Sequence, residues 1–152
     1  MLDLACGGGR HARYLAKLEL RVEAVDRDAE ALARLAGVGG VTTRVADLEL
    51  GPWPFAAQQF DAIVVTNYLH RPLFSHLVAA LTGGGVLIYE TFAAGNERYG
   101  RPANPDFLLQ PGELLEVARG HLRVIAYEDV YVDVPKPALV QRICAVKPPA
   151  GA

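Results

Sequence analysis

The stretch LDLACGGGR, residues 2–10, decides the fold of this chain. Residues 1–5 have the apolar character of a short buried strand, and this strand leads directly into the glycines at 7–9. Residues 10–18 then space their apolar side chains along one face of a helix. Glycines at a strand-to-helix turn let the backbone approach a ligand and direct helix N-terminal amides at it. The stretch therefore predicts an α/β domain with a ligand site at this turn.

The rest of the sequence continues the alternation of strands and helices. It predicts strands at 21–26, 41–45, 60–66, 86–91, 122–132 and 139–147, and helices at 29–36, 72–81 and 111–119. The apolar run FDAIVVT at 60–66 is typical of a strand buried on both faces of a parallel sheet. The connection 133–137 is so short that only an antiparallel hairpin fits it. We expect an α/β fold, a Rossmann-like doubly wound and mostly parallel seven-stranded sheet with a C-terminal antiparallel hairpin.

The segment 93–110 breaks this alternation, because it contains two glycines and two prolines. Loops of this length are uncommon and are usually functional lids or mobile segments. Arg98, Tyr99 and Arg101 lie in it and could bind an anionic substrate, or could be incidental groups on a solvated loop. We expect the segment to form a lid.

Length and composition limit the possible partners. The chain has 152 residues, 51% hydrophobic and 21% charged, with a formal charge of −2. This length suits one domain, which we place at 1–147, followed by a frayed tail at 148–152. A small negative charge with scattered arginines gives no reason to expect nucleic acid or a membrane as the partner. No apolar run approaches the roughly 18 residues of a membrane span, and no signal peptide is recognisable. We therefore expect a cytoplasmic protein.

The two cysteines, Cys6 and Cys144, lie far apart and lack the spacing of metal ligands. Because no export signal is recognisable, we expect both thiols to be reduced and buried. We expect no bound metal.

The glycine turn alone does not identify its ligand. Gly7, Gly9 and Ala12 satisfy the dinucleotide fingerprint G-x-G-x-x-A, and Asp26 lies at the spacing of a ribose-binding acid. A nicotinamide-dependent oxidoreductase is thus one interpretation. A glycine turn without any ligand is another.

Two acids favour S-adenosylmethionine (SAM) over a dinucleotide. Asp3 lies inside the first strand, four residues before the first glycine. Its carboxylate would repel a pyrophosphate but attract the ammonium group of SAM. Asp47 follows the third strand and places a second acid at the carboxyl edge of the sheet, where ligands of open α/β folds bind.

The chain resembles the class I SAM-dependent methyltransferases over nearly its whole length. The matching blocks are LDLACGGGR at 2–10, VEAVDRD at 22–28, VADL at 45–48, FDAIVVTNYLHRP at 60–72 and GGGVLIYETF at 83–92. The resemblance implies SAM as cofactor, S-adenosylhomocysteine as product and a small molecule as methyl acceptor. A narrower similarity to small bacterial methyltransferases of the tellurite-resistance type suggests a small or soft nucleophile.

The resemblance also implies roles for residues of the first block. Asp3 and the backbone of Gly7 and Gly9 face the methionine part of SAM, and Cys6 belongs to the same turn. Arg10 pairs with the SAM carboxylate.

Residues after the next three strands complete the implied cofactor site. Asp26 accepts hydrogen bonds from the ribose hydroxyl groups, with Arg27 beside it. Asp47 accepts one from the adenine amino group, next to the Leu48 backbone, and Asn67 lines the methyl-donor pocket. Structural alternatives stay open, since Asp26 could be an ordinary strand-end acid and Asp47 an Asx-turn residue.

The acceptor side is less defined, because methyl transfer from a sulfonium needs alignment more than reactive groups. We expect His70 to be the general base, although it could instead be a helix-start residue. Tyr68 is the second candidate for chemistry, or could pack on the adenine or the sulfonium. Glu90 could face the acceptor or be structural. The position after the fourth strand reads Asn-Tyr-Leu-His instead of Asp/Asn-Pro-Pro-Tyr/Phe, which argues against the DNA and protein amino-methylating branches.

The first strand starts almost at residue 1, whereas the resemblance implies helices before it. We expect this strand to be N-terminally truncated and one face of the cofactor site to be open. A second copy could cover this face, so a homodimer is possible. A non-catalytic SAM-binding or scaffolding protein derived from a methyltransferase is the alternative function.

Overall fold

A computed structural model describes residues 1–151 and arranges seven strands in one sheet. The strands are β1 (Leu2–Leu4), β2 (Val22–Asp26), β3 (Val41–Val45), β4 (Phe60–Thr66), β5 (Leu81–Phe92), β6 (Arg123–Val132) and β7 (Ala138–Val146). The α-helices are α1 (Arg10–Lys17), α2 (Ala29–Ala33), α3 (Phe74–Ala80) and α4 (Glu113–Ala118). Short 3₁₀-helical turns span Arg71–Leu73, Asn96–Arg98 and Pro105–Phe107.

The strand order is β3-β2-β1-β4-β5-β7-β6. Strands β1 to β5 are parallel, β7 runs antiparallel to β5, and β6 pairs antiparallel with β7. This arrangement confirms the predicted Rossmann-like fold with its C-terminal hairpin. The short β1 pairs with both β2 and β4, so the strand order reverses around it. Ligands of open α/β sheets bind at such a reversal, outside the carboxyl ends of the strands.

Helix α2 shows how the local sequence sets the element bounds. Its N-cap is Asp28, whose carboxylate accepts hydrogen bonds from the amides of Glu30 and Ala31. The helix ends at Ala33, earlier than the predicted 29–36. The following residues form tighter i→i+3 turns up to Gly37, whose φ is 77°. The predicted helix is therefore correct in place and too long.

The start of β5 differs from the prediction. The glycines at 83–85 were expected to separate a helix from a strand beginning at Val86. Instead β5 begins at Leu81, which pairs with Phe60, and the register shifts between Phe60 and Ala62. Gly84 has a φ of 82°, which glycine adopts without steric cost. The glycines therefore form an irregularity inside the strand.

Two apolar clusters hold the helices on opposite faces of the sheet. Helices α3 and α4 contribute Leu77 and Leu114 to the larger cluster, and α1 and α2 contribute Ala12 and Leu32 to the smaller one. On the face of α1, the middle of the sheet is only partly covered. Ile88 is 44% exposed there.

The segment 93–110 is more ordered than the predicted loop. Leu108 and Leu109 are buried, and Ala93 forms an isolated bridge with Leu109. Asn96 is buried too, donating to the Pro102 carbonyl oxygen and accepting from the Leu139 amide. These contacts attach the segment to the hairpin.

Three further observations concern the predictions from composition. Cys6 and Cys144 are free thiols, as expected, but both are only half-buried. No helix within residues 1–151 is long and apolar enough to span a membrane. The expected tail, 148–152, includes Ala152, which lies outside the described residues.

Candidate functional site

Three adjoining cavities lie at the carboxyl edge of the sheet. The first, of about 320 Å³, is lined by Ala5, Asp26, Arg27, Ala46, Asp47, Leu48, Glu49, Asn67, Tyr68 and Phe107. The second, of about 720 Å³, is lined by Ala5, Cys6, Gly7, Gly8, Arg10, His11, Arg13, Tyr14, Lys17, Thr66 and Asn67. The third, of about 540 Å³, combines part of this wall with residues of β4 to β7. Asn67 lines all three, so the cavities adjoin one another, and together they are called the groove.

The junction of the first two cavities has an unusual backbone. Ala5 directly follows β1, and Asn67 directly follows β4. Both have left-handed backbones, with φ of 52° and 54°. Asparagine tolerates this conformation, but alanine adopts it only at a cost of roughly 1–2 kcal/mol. Non-glycine residues in such conformations concentrate at functional sites.

The glycine turn contributes to the groove through Gly7 and Gly8. Gly7 has a φ of 55°, and a Cβ there would meet no heavy atom within 4 Å. Gly9 has a different surrounding, because a Cβ there would lie 2.5 Å from the Leu35 methyl groups. The predicted Gly9 thus allows α1 to pack against the end of α2, and it lines none of the three cavities.

Asp26 connects the glycine turn with the end of β2. Its Oδ2 accepts a hydrogen bond from the Gly7 amide at 2.8 Å, and its Oδ1 accepts one from the Asp28 amide at 2.9 Å. Each carboxylate oxygen has a second lone pair for a ligand. Asp26 and Arg27 line the first cavity, where the resemblance predicted them.

Asp47 forms the Asx turn that was its structural alternative, and it also lines the first cavity. Its Oδ1 accepts hydrogen bonds from the amides of Glu49 and Leu50, each at 2.9 Å, as in an Asx turn. These bonds lower the pKa of the Asp47 carboxyl group. Both fall on one oxygen, so Oδ2 keeps its lone pairs for a ligand in the first cavity. Leu48 lines the same cavity.

Asp3 lies beneath the groove. Its side chain is almost fully buried, its Oδ2 accepts from the Ala12 amide at 3.0 Å, and it lines none of the three cavities. Burial raises the pKa of this carboxyl group to about 6; the Ala12 amide opposes the rise, and the charge of Asp26 adds to it. The structure therefore places Asp3 as a buried support of the glycine turn.

The two predicted catalytic residues occupy different environments. Tyr68 lines the first cavity, and its hydroxyl donates to Glu49 Oε1 at 3.3 Å. Burial and the nearby Glu49 raise the pKa of the Tyr68 phenol, so it stays protonated at neutral pH. His70 Nδ1 lies 3.7 Å from the same Oε1, and His70 lines none of the three cavities.

His11 is a histidine of the groove that the sequence interpretation missed, since His70 was the one histidine considered for this site. His11 lines the second and third cavities beside Asn67. Arg10 Nη2 lies 3.3 Å from His11 Nε2, and a guanidinium can only donate, so this nitrogen carries the lone pair. Burial, followed by the Arg10 charge, lowers the pKa of His11. The sequence signal that could have identified His11 is its position in the first helical turn after the glycines.

Phe107 was also missed, since Arg98, Tyr99 and Arg101 were the residues considered in this segment. None of those three lines the groove, whereas Phe107 lines the first cavity.

Arg71 holds the segment that carries Phe107. Its guanidinium donates to the carbonyl oxygens of Asp106 and Leu108 at 3.0 and 2.9 Å. It also forms a bidentate pair with Glu113, at 2.7 and 2.9 Å. Phe107 is thus fixed at the groove by residues on both sides of it in the chain.

The sheet order and the groove at the carboxyl ends of β1 to β4 define a class I SAM-dependent methyltransferase fold. The profile of a family described as "Methyltransferase domain" matches residues 1–85, and the chain belongs to this family. Comparison with curated proteins gives no significant match.

Solved structures similar to this chain include several methyltransferases. A SAM-dependent methyltransferase from Mesorhizobium loti is 18% identical with a TM-score of 0.76, and the match covers 96% of this chain and 89% of that one. TehB from Haemophilus influenzae is 18% identical with a TM-score of 0.78, covering 96% and 57% of the two chains. The [4+2]-cyclase SpnF also matches, at 17% identity, a TM-score of 0.76 and coverages of 98% and 74%. At these identities the likeness shows the fold alone.

Proposed function

We propose that this chain is a SAM-dependent methyltransferase that transfers the methyl group in line to a small-molecule acceptor and releases S-adenosylhomocysteine. The observation that carries the proposal is that a cavity lined by two carboxylates, Asp26 and Asp47, adjoins a cavity at the glycine turn, with Asn67 in the wall of both.

The residues of the groove fit the chemistry of SAM. Asp26 and Asp47 offer free carboxylate lone pairs to ribose hydroxyls and an adenine amino group, and Leu48 and Tyr68 offer apolar surface to the adenine ring. In the second cavity Arg10 suits the SAM carboxylate. The negative field of the buried Asp3 suits the ammonium group.

Bound SAM supplies a methyl group already activated by a positively charged sulfur. The protein then has to orient the acceptor, exclude water and, where the acceptor carries a proton, remove it. We assign the last role to His11 in place of His70, because its neutral imidazole lies at the junction of the second and third cavities. Its Nε2 can accept that proton once the Arg10 guanidinium turns from it to the SAM carboxylate. We assign Tyr68, whose phenol stays protonated, to packing on the adenine side.

We also propose a cytoplasmic location. The two free thiols support this assignment, since reduced cysteines are typical of that compartment.

Calorimetric titration with SAM tests the cofactor assignment. We expect binding by the wild type and a loss of roughly 10-fold or more in Asp26→Asn, since one charged acceptor of the turn and the ribose is removed. Asp28→Asn is the matched control, because asparagine also caps α2. No heat of binding at millimolar SAM would contradict the proposal, and binding of NAD instead would favour the oxidoreductase interpretation.

Turnover to S-adenosylhomocysteine, measured over thiol, amine, carboxylate and chalcogen acceptors, tests the reaction. We expect at least one acceptor to be methylated and His11→Ala to lower kcat for acceptors that lose a proton. SAM binding without turnover on any acceptor would favour the non-catalytic alternative.

A further inference from the structure

We propose that the third cavity binds the methyl acceptor and selects a small molecule with an apolar body and a carboxylate, whose charge is recognised by Lys136. This inference rests on the proposed function, because it takes the second cavity to hold the methionine end of SAM.

The position of the third cavity supports an acceptor site. It shares Arg10, His11, Tyr14, Thr66 and Asn67 with the second cavity, so its contents adjoin the methyl-donor end. From there it extends across β5 to the hairpin loop at 133–137. At about 540 Å³ it has a volume typical of small-molecule sites.

The walls of the cavity are mostly apolar. Val64 and Ile88 form its base on neighbouring positions of β4 and β5, and Phe92 and Val140 are paired on β5 and β7. Val134 in the hairpin loop also lines the cavity and is 82% exposed. Contact between these apolar side chains and water is unfavourable, so burying them would favour the binding of an acceptor with an apolar body.

The charged side chains on the walls are mostly paired with one another. Glu90 is the lining carboxylate, and its Oε2 lies 2.9 Å from Arg142 Nε. Arg142 Nη1 also lies 3.1 Å from Glu128 Oε2, so this one guanidinium is shared by two carboxylates and is not free to bind an anionic ligand. Arg10, on the shared wall, is assigned to the cofactor.

Lys136 is the remaining cation. Its side chain is exposed, and no carboxylate within residues 1–151 lies at ion-pair distance from it. The nearest acid along the loop, Asp133, accepts a hydrogen bond from the Tyr131 hydroxyl. Lys136 is therefore available to an anionic group of a ligand in the third cavity.

The topology also suggests the length of the acceptor. β4 and β7 are separated by β5, and two strand spacings correspond to about 10 Å. A carboxylate at the loop and a nucleophile beside His11 would therefore be joined by an apolar body of about this length.

Three eight-carbon probes that differ in charge test the inference: octanoate, octanamide and octylamine. Their binding to the protein saturated with S-adenosylhomocysteine is measured by calorimetry. We expect octanoate to bind roughly 3- to 10-fold more tightly than octanamide, and octylamine to bind most weakly. Lys136→Gln should remove the advantage of octanoate and leave octanamide unchanged. Arg123→Gln, which removes an exposed charge outside the groove, is the matched control.

A second variant tests whether the probes bind in the third cavity. Ile88→Trp fills its base and should weaken octanoate and octanamide alike. Equal affinity for octanoate and octanamide in the wild type, or an unchanged preference in Lys136→Gln, would overturn the inference. SAM titration of the same protein without S-adenosylhomocysteine separates the two proposals. If SAM binds but the probes show no preference for the carboxylate, only the proposed acceptor class is contradicted. If octanoate is preferred but SAM does not bind, only the methyltransferase assignment is contradicted.

Discussion

At the scale of residues, Gly7 and Gly9 show that the same backbone conformation can serve two purposes. Both have a positive φ, but Gly7 has open space where a Cβ would lie and Gly9 faces the buried Leu35. The first glycine leaves room for a ligand. The second allows two helices to approach each other.

This difference predicts unequal effects of Gly9→Ala and Gly37→Ala. The two glycines have nearly the same φ, 78° and 77°, so the backbone cost of alanine is similar, roughly 1–2 kcal/mol. Only the Cβ at Gly9 would overlap a side chain, which adds about 1–3 kcal/mol. Urea denaturation should therefore show the larger loss of stability in Gly9→Ala. Equal losses would mean that Leu35 moves aside without cost.

Only some of the residues that line the groove were predictable from the sequence. Asp26 ends β2 and Asp47 comes shortly after β3. The carboxyl end of a strand fixes a residue's place in this fold, so their positions were predictable. The direction of a side chain in a short element was not. Asp3 was expected to face the ligand and is buried, and His11 was overlooked because helical periodicity alone does not identify which turn faces a cavity.

At the scale of elements, the pair of Arg71 and Glu113 decides where the segment after β5 lies. These residues are 42 positions apart, and together they fix the carbonyl groups on both sides of Phe107. No local sequence pattern predicts a contact between residues so far apart in the chain. A loop was therefore all that the sequence could predict for 93–110, although the segment is ordered by these bonds.

Arg71→Gln tests this arrangement. We expect faster amide hydrogen exchange at 106–109 and a stability loss of about 1–2 kcal/mol, since hydrogen bonds to a partly exposed charged group are lost. The affinity for SAM should fall several-fold if Phe107 covers the first cavity. Arg119→Gln is the control, because its pair with Glu116 is largely exposed and should contribute at most about 0.5 kcal/mol. Unchanged exchange at 106–109 would show that the segment is ordered without Arg71.

At the scale of the whole molecule, the mostly parallel seven-stranded sheet was predictable because each strand carries its own apolar pattern, and the antiparallel hairpin because its connection is short. The irregular start of β5 was not, since three glycines are compatible with either a helix end or a bulge. The homodimer stays a prediction, which sedimentation velocity can measure.

Global stability should depend on the ionisation of Asp3. Its folded pKa of about 6 lies above the ordinary 3.8, so the folded state holds a proton that the unfolded state releases between these values. The stabilisation of the folded state by this proton is complete below the unfolded pKa and is lost as the pH rises through 6. The free energy of unfolding falls by about 3 kcal/mol over this range.

Asp3→Asn should remove this dependence. Asparagine can still accept a hydrogen bond from the Ala12 amide. The free energy of unfolding of Asp3→Asn, relative to that of the wild type, should therefore rise by about 2–3 kcal/mol between pH 4 and pH 7. Urea denaturation at several pH values measures the difference. Asp129→Asn, on the exposed part of β6, should show no such trend. A constant difference across the pH range would refute the assignment of the titration to Asp3.

The division of the groove has a consequence for protein engineering. The family match ends at residue 85, and most of the wall unique to the third cavity comes from Ile88 onward, including the hairpin loop at 133–137. Asp26 and Asp47 lie far from this loop in the chain. Exchanging the loop for those of structural relatives should therefore alter the range of accepted molecules while sparing cofactor affinity, which makes the hairpin the natural target for a combinatorial library.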